Sequence, residues 1–170
     1  MELPEVHDAV TELTQNKLFK SWKDSHPQCI LSHLFSPLDA QYRAKSFWEI
    51  AFYDPKKEKI VVFTPNQEGE ITLQKEDDIF KRESDVVEEL DLKSVALSFE
   101  KARAIFADKV KELFPKMQVG DGFIVLQTVM GKTLWNFTFI TKTLQFINIK
   151  INAASGEIDS HQAVELMQKN

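Results

Sequence analysis

The chain is short of several residue types on which whole functional classes depend. It has one cysteine, Cys29, so no internal disulfide framework can form. Its five glycines leave little room for a glycine-rich phosphate loop. No apolar run approaches the roughly 20 residues that a membrane-spanning helix needs. These shortages argue against a disulfide scaffold, a nucleotide-binding loop and a membrane-spanning segment.

Positive charge is also in short supply. The chain has 21 Lys and Arg against 26 Asp and Glu, which gives a formal net charge of −5. Nucleic-acid binders usually carry a basic patch because phosphate neutralisation drives their affinity, whereas the bases here are dispersed among acids. We therefore expect no nucleic-acid partner and no attraction to anionic lipid.

The first residues are acidic and polar, unlike the basic start and apolar stretch of a signal peptide. Taking Met1 as the native start, this predicts a cytoplasmic protein.

The chain is rich in apolar residues, since 43% of its residues are hydrophobic and 13 are Phe. That composition is typical of a soluble globular protein with an aromatic core.

An internal repeat dominates the sequence. Residues 48–71 align without a gap on residues 135–158, at a spacing of 87. Six of the 24 aligned positions are identical, and the alternation of apolar and polar residues matches, which indicates a duplication. The identical pairs are Trp48/Trp135, Phe52/Phe139, Ile60/Ile147, Gly69/Gly156, Glu70/Glu157 and Ile71/Ile158.

Each copy is predicted to be a helix followed by three antiparallel strands. The second helix begins after an N-cap at Ser98 and ends before Pro115, while a looser apolar stripe predicts one first helix up to Pro27. Period-2 alternation predicts a hairpin in each copy, closed by turns at 54–57 and 141–143. Gly69 and Gly156 fit turns that need positive φ. Gly120–Gly122 reads as a turn before a strand, and the tail after Ser160 reads as a short helix.

These elements divide the chain into a first unit at residues 1–75, an acidic connector at 76–96 and a second unit at 97–170. Eight acids and two bases fall between positions 76 and 91, which favours a solvated linker or an exposed helix over a partner-binding face. Val86, Val87 and Leu90 predict that the connector docks against the units.

No catalytic, cofactor or metal site is evident. Three of the four histidines follow a serine (His26, His33 and His161), but nucleophile and base are seldom neighbours in sequence. No histidine has metal-ligand spacing to another His, Cys or carboxylate. We therefore predict a protein without catalytic residues, cofactor or metal, in which these histidines are ordinary loop and cap residues.

The repeated pattern resembles the PepSY family. It runs Trp-x-hydrophobic-x-Phe, a turn, an Ile/Val strand and a Gly-Glu-Ile turn, and residues 149–158 are the best match. The family usually has Asp where Asn152 stands, and the first copy departs further. The resemblance implies two cystatin-like units, each a helix packed on a curved antiparallel sheet, and a role in restraining peptidases. The fold class predicted is therefore α+β.

A second, local resemblance concerns residues 127–131. Gln127, Val129 and Gly131 are similar to the Gln-x-Val-x-Gly hairpin of the cystatins, and they follow a helix and a strand as in that family. The resemblance implies a hairpin that wedges into the cleft of papain-like proteases. An ordinary strand end and its turn is the alternative, and the cystatin Pro-Trp hairpin is absent. These three residues are the predicted partner-binding site.

The function predicted is a non-catalytic binding or regulatory protein that recognises a protein or peptide, with a peptidase as one candidate partner. Recognition would use a hairpin, a sheet edge or an inter-unit groove. One alternative is a small-molecule pocket, or an enzyme, in the hollow between helix and sheet. Another is a homodimer that pairs exposed sheet edges.

Overall fold

The computed structural model describes residues 1–66, 68, 70–73, 77, 78 and 86–165. Within these residues the chain forms three α-helices and nine β-strands. The helices are α1 (Val6–Gln15), α2 (Lys17–Ser25) and α3 (Phe99–Leu113). The strands are β1 (Ile30–Leu38), β2 (Glu49–Asp54), β3 (Lys59–Pro65), β4 (Ile71–Leu73), β5 (Asp77–Asp78), β6 (Val119–Val129), β7 (Lys132–Thr141), β8 (Gln145–Asn152) and β9 (Ile158–Glu165).

Eight strands make one antiparallel sheet in the order β4-β3-β2-β1-β6-β7-β8-β9, and the two-residue β5 pairs with β3. The helices pack on one face of this sheet through a single apolar core. The predicted α+β class is confirmed. The division into two cystatin-like units, with boundaries at 75 and 97, stays a prediction.

The sheet is joined at its middle by the pairing of β1 with β6. Phe35 lies opposite Val125 in this pair. Phe35 also pairs with Glu49 on β2, and Val125 pairs with Asn136 on β7, and positions 49 and 136 are separated by the repeat spacing of 87. Equivalent positions of the two halves therefore face each other across the centre of the sheet.

The two repeated tryptophans occupy the same place in each half. Trp48 and Trp135 are fully buried, with their ring centroids 6.0 Å apart. The Trp48 indole N–H donates to the Pro4 carbonyl just before α1 at 2.9 Å, and that of Trp135 donates to the Leu97 carbonyl just before α3 at 3.0 Å. A buried indole needs such an acceptor, so each tryptophan fixes the start of one helix on the sheet.

The prediction of one first helix is wrong, because the helix is interrupted at Asn16 and continues as a second helix. This residue ends α1 and caps α2, since its side-chain oxygen accepts the N–H groups of Leu18 and Phe19 at 2.9 and 3.3 Å. An Asn cap satisfies amides that a helix start leaves unpaired. The second helix is confirmed, with the Ser98 hydroxyl accepting the N–H of Lys101 at 3.2 Å.

Both predicted hairpins are confirmed as β2–β3 and β7–β8, but each half has four strands of the main sheet and not three. The prediction of a short helix after Ser160 is wrong, because β9 runs through this segment and pairs with β8. Gly120–Gly122 is a bulged part of β6 and not a turn before it. Gly156 has the expected positive φ of 78°, whereas Gly69 lies outside the described residues.

The described part of the connector docks only in part as predicted. Leu90 is buried in the main core, and Val87 packs against a small second cluster formed by Ala51, Tyr53 and Ile60. Val86, in contrast, is 82% exposed. Residues 86–91 are irregular, and most of the connector before them lies outside the described residues. None of the described helices is long and apolar enough to cross a membrane.

Gly122→Ala should destabilise the sheet strongly. A Cβ at this position would lie 2.2 Å from the Thr138 carbonyl oxygen and 2.5 Å from the Phe139 ring. Overpacking of this kind costs about 2–3 kcal/mol in the free energy of unfolding, which urea denaturation would measure. Gly131→Ala is the matched control, since its Cβ meets nothing within 4 Å and only the positive φ costs, about 1 kcal/mol. Equal losses in the two variants would contradict the packing argument.

Candidate functional site

The sheet face away from the helices carries a broad surface, which we call the open face. Side chains alternate along a strand, so Leu34 and Leu126 point into the helix-side core while their neighbours point the other way. The cross-strand pairs of β1 and β6 define the centre of the open face: His33 with Gln127, Phe35 with Val125 and Pro37 with Phe123.

Aromatic side chains occupy the middle of the open face. The rings of Phe35 and Phe123 lie diagonally across the β1–β6 pair, 5.6 Å apart and tilted by 35°. Both side chains are only half-buried, as is Val125 between them. Large apolar side chains at the centre of a sheet face that no described helix covers are characteristic of interaction surfaces.

The β7–β8 side of the open face is polar. The Asn148 amide nitrogen donates to the Asn136 side-chain oxygen at 2.6 Å and to the Thr138 hydroxyl at 2.9 Å. Gln162 on the exposed strand β9 pairs with Asn148 and extends this row. The open face therefore combines an apolar centre with a flank of amide and hydroxyl groups that can bond to a partner's main chain.

The predicted hairpin exists as β6–β7, with a two-residue turn at Met130 and Gly131. Both residues have positive φ, 51° and 76°, which is the type I′ geometry that suits the twist of a hairpin. Met130 is 89% exposed and Val129 is 41% exposed, as a protruding tip requires. However, the Glu88 carboxylate of the connector accepts the N–H groups of both turn residues, that of Gly131 at 3.0 Å. Main-chain donors of the tip are thus already engaged.

The structure separates the three predicted partner-binding residues. Gln127 lies within the sheet beside His33 and Leu134, and it is half-buried. Val129, two residues further along β6, is exposed on the same side, and Gly131 belongs to the turn. The three residues of the predicted hairpin site therefore lie partly on the open face and partly at the hairpin tip.

His33 is a strand residue of the open face and not a loop or cap residue as predicted. Its Nδ1 lies 3.0 Å from the Ser32 hydroxyl, so this Ser–His pair is in contact. Burial lowers the pKa of His33 to about 4, because charging the ring would cost desolvation energy. The imidazole is accordingly neutral at pH 7 and a weak base, and Ser32 itself is buried.

Few of the buried side chains among the described residues are charged. Asp54 is the only charged residue among its buried side chains, and its carboxylate accepts the N–H groups of Lys56 and Lys57 in the β2–β3 turn. Those hydrogen bonds help to hold the pKa of Asp54 below its usual value although burial acts to raise it. No three His, Cys, Asp or Glu side chains of the described residues are grouped to hold a metal ion.

Sequence reasoning missed the open face as a site. The signal was present in β1 and β6, where apolar residues occupy both faces of the strand and break the alternation expected of a half-solvated sheet. Phe35, Phe123 and Val125 are the residues that break it. A continuous apolar run of this kind fits a strand buried on both faces equally well, since nothing in the sequence shows which face the helices leave uncovered.

The free energy of unfolding should decrease as the pH is lowered, because of His33. Its pKa of about 4 in the folded state lies below the 6.5 of an unperturbed histidine, so only the unfolded chain takes up this proton between these values. The contribution is present in full above pH 6.5, and about 3 kcal/mol is lost as pH falls to 4. Urea denaturation at several pH values should show His33→Gln losing less stability on acidification. His161→Gln, on exposed β9, should keep the wild-type pH dependence, and identical slopes in all three proteins would contradict the assignment.

Comparison with known proteins gives one structural likeness. The chain matches no protein-family model and no curated protein sequence. Its fold is similar to the crystal structure of a "putative lipoprotein" from Clostridium difficile 630, with a TM-score of 0.49 and 13% identity. The likeness covers 86% of this chain and 90% of the other.

Proposed function

We propose that this protein is a non-catalytic binding protein that recognises a protein or peptide partner on the open face of its sheet. The observation that carries the proposal is the half-buried Phe35–Phe123 ring contact, at the centre of a face without helices in the described residues. Aromatic anchors surrounded by hydrogen-bonding groups are the usual composition of a protein interface. Asn136 and Asn148 supply such groups on the flank.

The open face is favoured over the hairpin tip as the main contact surface. At the tip, Glu88 already accepts the main-chain donors of Met130 and Gly131, so a partner would have to displace it. Gln127 and Val129 continue the open face toward the tip and would lie at the margin of the same interface. A regulatory role, with a peptidase among the candidate partners, is compatible with this surface.

The proposal includes the duplicated architecture, two tandem PepSY-like units of cystatin-like fold at 1–75 and 97–170 with a connector at 76–96. The symmetric strand order supports it. The matching indole hydrogen bonds of Trp48 and Trp135 support it further. Asn152 accepts the N–H groups of Ala154 and Ser155 at 2.9 and 3.1 Å, a turn role that the family's usual Asp would fill equally well.

The alternative of a pocket or enzyme in the hollow between helix and sheet has less support. That hollow is filled by stacked aromatics, with the ring of Phe106 4.6 Å from Phe137 and 5.0 Å from Phe139. Tyr42, from the loop after β1, inserts its ring against the same group. A cavity of about 210 Å³ lies at the periphery, where α1 meets Pro65 and Ile71.

A photo-crosslinking experiment tests the proposed surface. Replacing Phe123 with p-benzoylphenylalanine should capture a partner from the source organism's lysate, because this side chain lies within the proposed interface. The same replacement at Lys111, exposed on α3, is the matched control and should capture none. Adding Val125→Asp should abolish capture at position 123 with the folded state intact by circular dichroism, since it places a charge at the centre of the contact.

Three other outcomes would contradict the open-face proposal. Equal capture from position 111 would indicate non-specific adhesion. Inhibition of papain that Val129→Asp abolishes and Val125→Asp does not would favour recognition by the hairpin tip. A crosslink between two copies of this chain would favour the homodimer, for which β9 offers an edge without a pairing partner among the described residues.

A further inference from the structure

Strand β9 forms an edge of the sheet that has no pairing partner among the described residues. It pairs with β8 on one side only, whereas the strand at the opposite edge, β4, is only three residues long. Strand β9 is eight residues long, and every side chain from Asp159 to Glu165 is exposed. An edge strand of this length presents main-chain groups to which another extended chain can bond.

The alternation along β8 shows which main-chain groups of β9 point out of the sheet. The Asn152 N–H donates to the Glu157 carbonyl at 2.8 Å, so Asn152 directs its main-chain groups toward the β9 side. Because such groups alternate between the two neighbours of an antiparallel strand, Asn148 also bonds toward β9, where Gln162 lies opposite it. The residues of β9 that direct their N–H and C=O groups out of the sheet are therefore His161, Ala163 and Glu165.

The features that usually protect an edge strand are missing from most of β9. Natural sheets use short strands, bulges, prolines and lysines at exposed edges to prevent pairing with another chain. The segment Ile158–Glu165 contains no Pro, Lys or Arg. Its one register irregularity lies at its start, and pairing with β8 is regular from Ser160 onward. The regular part of β9 can therefore accept a further strand.

The side chains of β9 indicate the charge of a strand that would fit beside it. Asp159 and Glu165 are acidic, and only Asp159 has a salt bridge with a described residue, to Lys132 at 3.0 Å. The ring of His161 contacts that of Phe114, just after α3, so alternation places Glu165 on the helix side as well. A second copy of β9 would bring two further carboxylates to this edge, whereas a basic strand would complement it.

We propose that β9 is a strand-addition site, to which the protein or peptide partner adds an extended basic segment in antiparallel pairing. The inference rests on the proposed function and names the conformation and charge of the partner segment. Gln162 continues the polar flank of the open face through its pairing with Asn148, so an added strand would widen that surface. Residues of the added strand that bond to His161 and Ala163 have their side chains on the helix side, so lysines there lie near Glu165.

Titration with short basic peptides tests the inference. The probe is acetyl-Val-Lys-Val-Lys-Val-Thr-amide, with acetyl-Val-Gln-Val-Gln-Val-Thr-amide as the uncharged control, each added to the full chain. At saturation the lysine peptide should slow amide hydrogen exchange at His161 and Ala163 at least about tenfold, because these N–H groups become bonded. The uncharged peptide should bind more weakly. Glu165→Gln should reduce this difference between the two peptides.

N-methylated forms of the lysine peptide test the main-chain pairing in the wild-type protein. Methylating the main-chain nitrogens of both lysines should weaken binding at least about tenfold, which corresponds to about 1.4 kcal/mol. The matched control carries the methyl groups on the two valines that follow the lysines. This form should bind like the parent peptide, because those N–H groups point away from β9.

Two variants of Ala163 test the same pairing from the side of the protein. Ala163→Pro removes an N–H that points out of the sheet, which an edge strand tolerates, and it should weaken binding of the lysine peptide at least about tenfold. Ala163→Val keeps the N–H and should leave binding unchanged. Circular dichroism and thermal melting check that both variants are folded.

Three results would overturn the strand-addition site. The first is an equal loss of binding from the two N-methylated forms, and the second is unchanged exchange at His161 and Ala163. The third is a dimer in analytical ultracentrifugation that Ala163→Pro dissociates, since it would assign the edge to a second copy. Equal binding of the lysine and glutamine peptides would overturn the basic character of the partner segment. None of these results affects crosslinking at Phe123, whose loss on Val125→Asp tests the open face independently.

Discussion

The pairing of β1 with β6 is the contact on which the rest of the structure depends. It joins strands that lie about 90 residues apart in sequence, with Phe35 against Val125 at the centre. Because the pairing continues the hydrogen-bond ladder from one half into the other, the two four-strand groups become one sheet. All helices then share one face, where they can bury the common core. No helix of the described residues covers the opposite face, where Val87 packs over the β2–β3 part. The candidate site is a consequence of this junction.

The tryptophans determine where the helices lie on that sheet. Trp48 and Trp135 are buried near the junction, and each gives its indole N–H to a carbonyl immediately before a helix. A buried indole without an acceptor would cost free energy, so each bond selects one placement of the chain. Phe99 packs against both rings, at 5.8 and 6.1 Å, so α3 contacts the repeated tryptophan of either half. The halves therefore share core side chains and not only a strand pair.

Local chemistry made part of this fold predictable. The β2–β3 and β7–β8 hairpins follow from alternation and turn residues, and α3 from the Ser98 cap. The tail was misread because Ala163 and Val164 with their neighbours fit a helical spacing, whereas pairing with β8, a tertiary contact, decides for a strand. The break at Asn16 depends on one side-chain cap. No residue pattern within either strand predicts that β1 pairs with β6. The open face and the contacts of Gln127 depend on this pairing, so the sequence did not predict them.

Polar side chains in the core and on the open face meet different demands. The buried indoles have acceptors, and the buried Asp54 carboxylate accepts two main-chain N–H groups. On the open face Asn136, Thr138 and Asn148 bond to one another while they stay half-buried, so part of their hydrogen-bonding capacity faces solvent. These groups are held in place beside the Phe35–Phe123 ring contact before a partner arrives. A partner that binds the open face would therefore lose less conformational entropy in ordering this surface than one that binds an irregular loop.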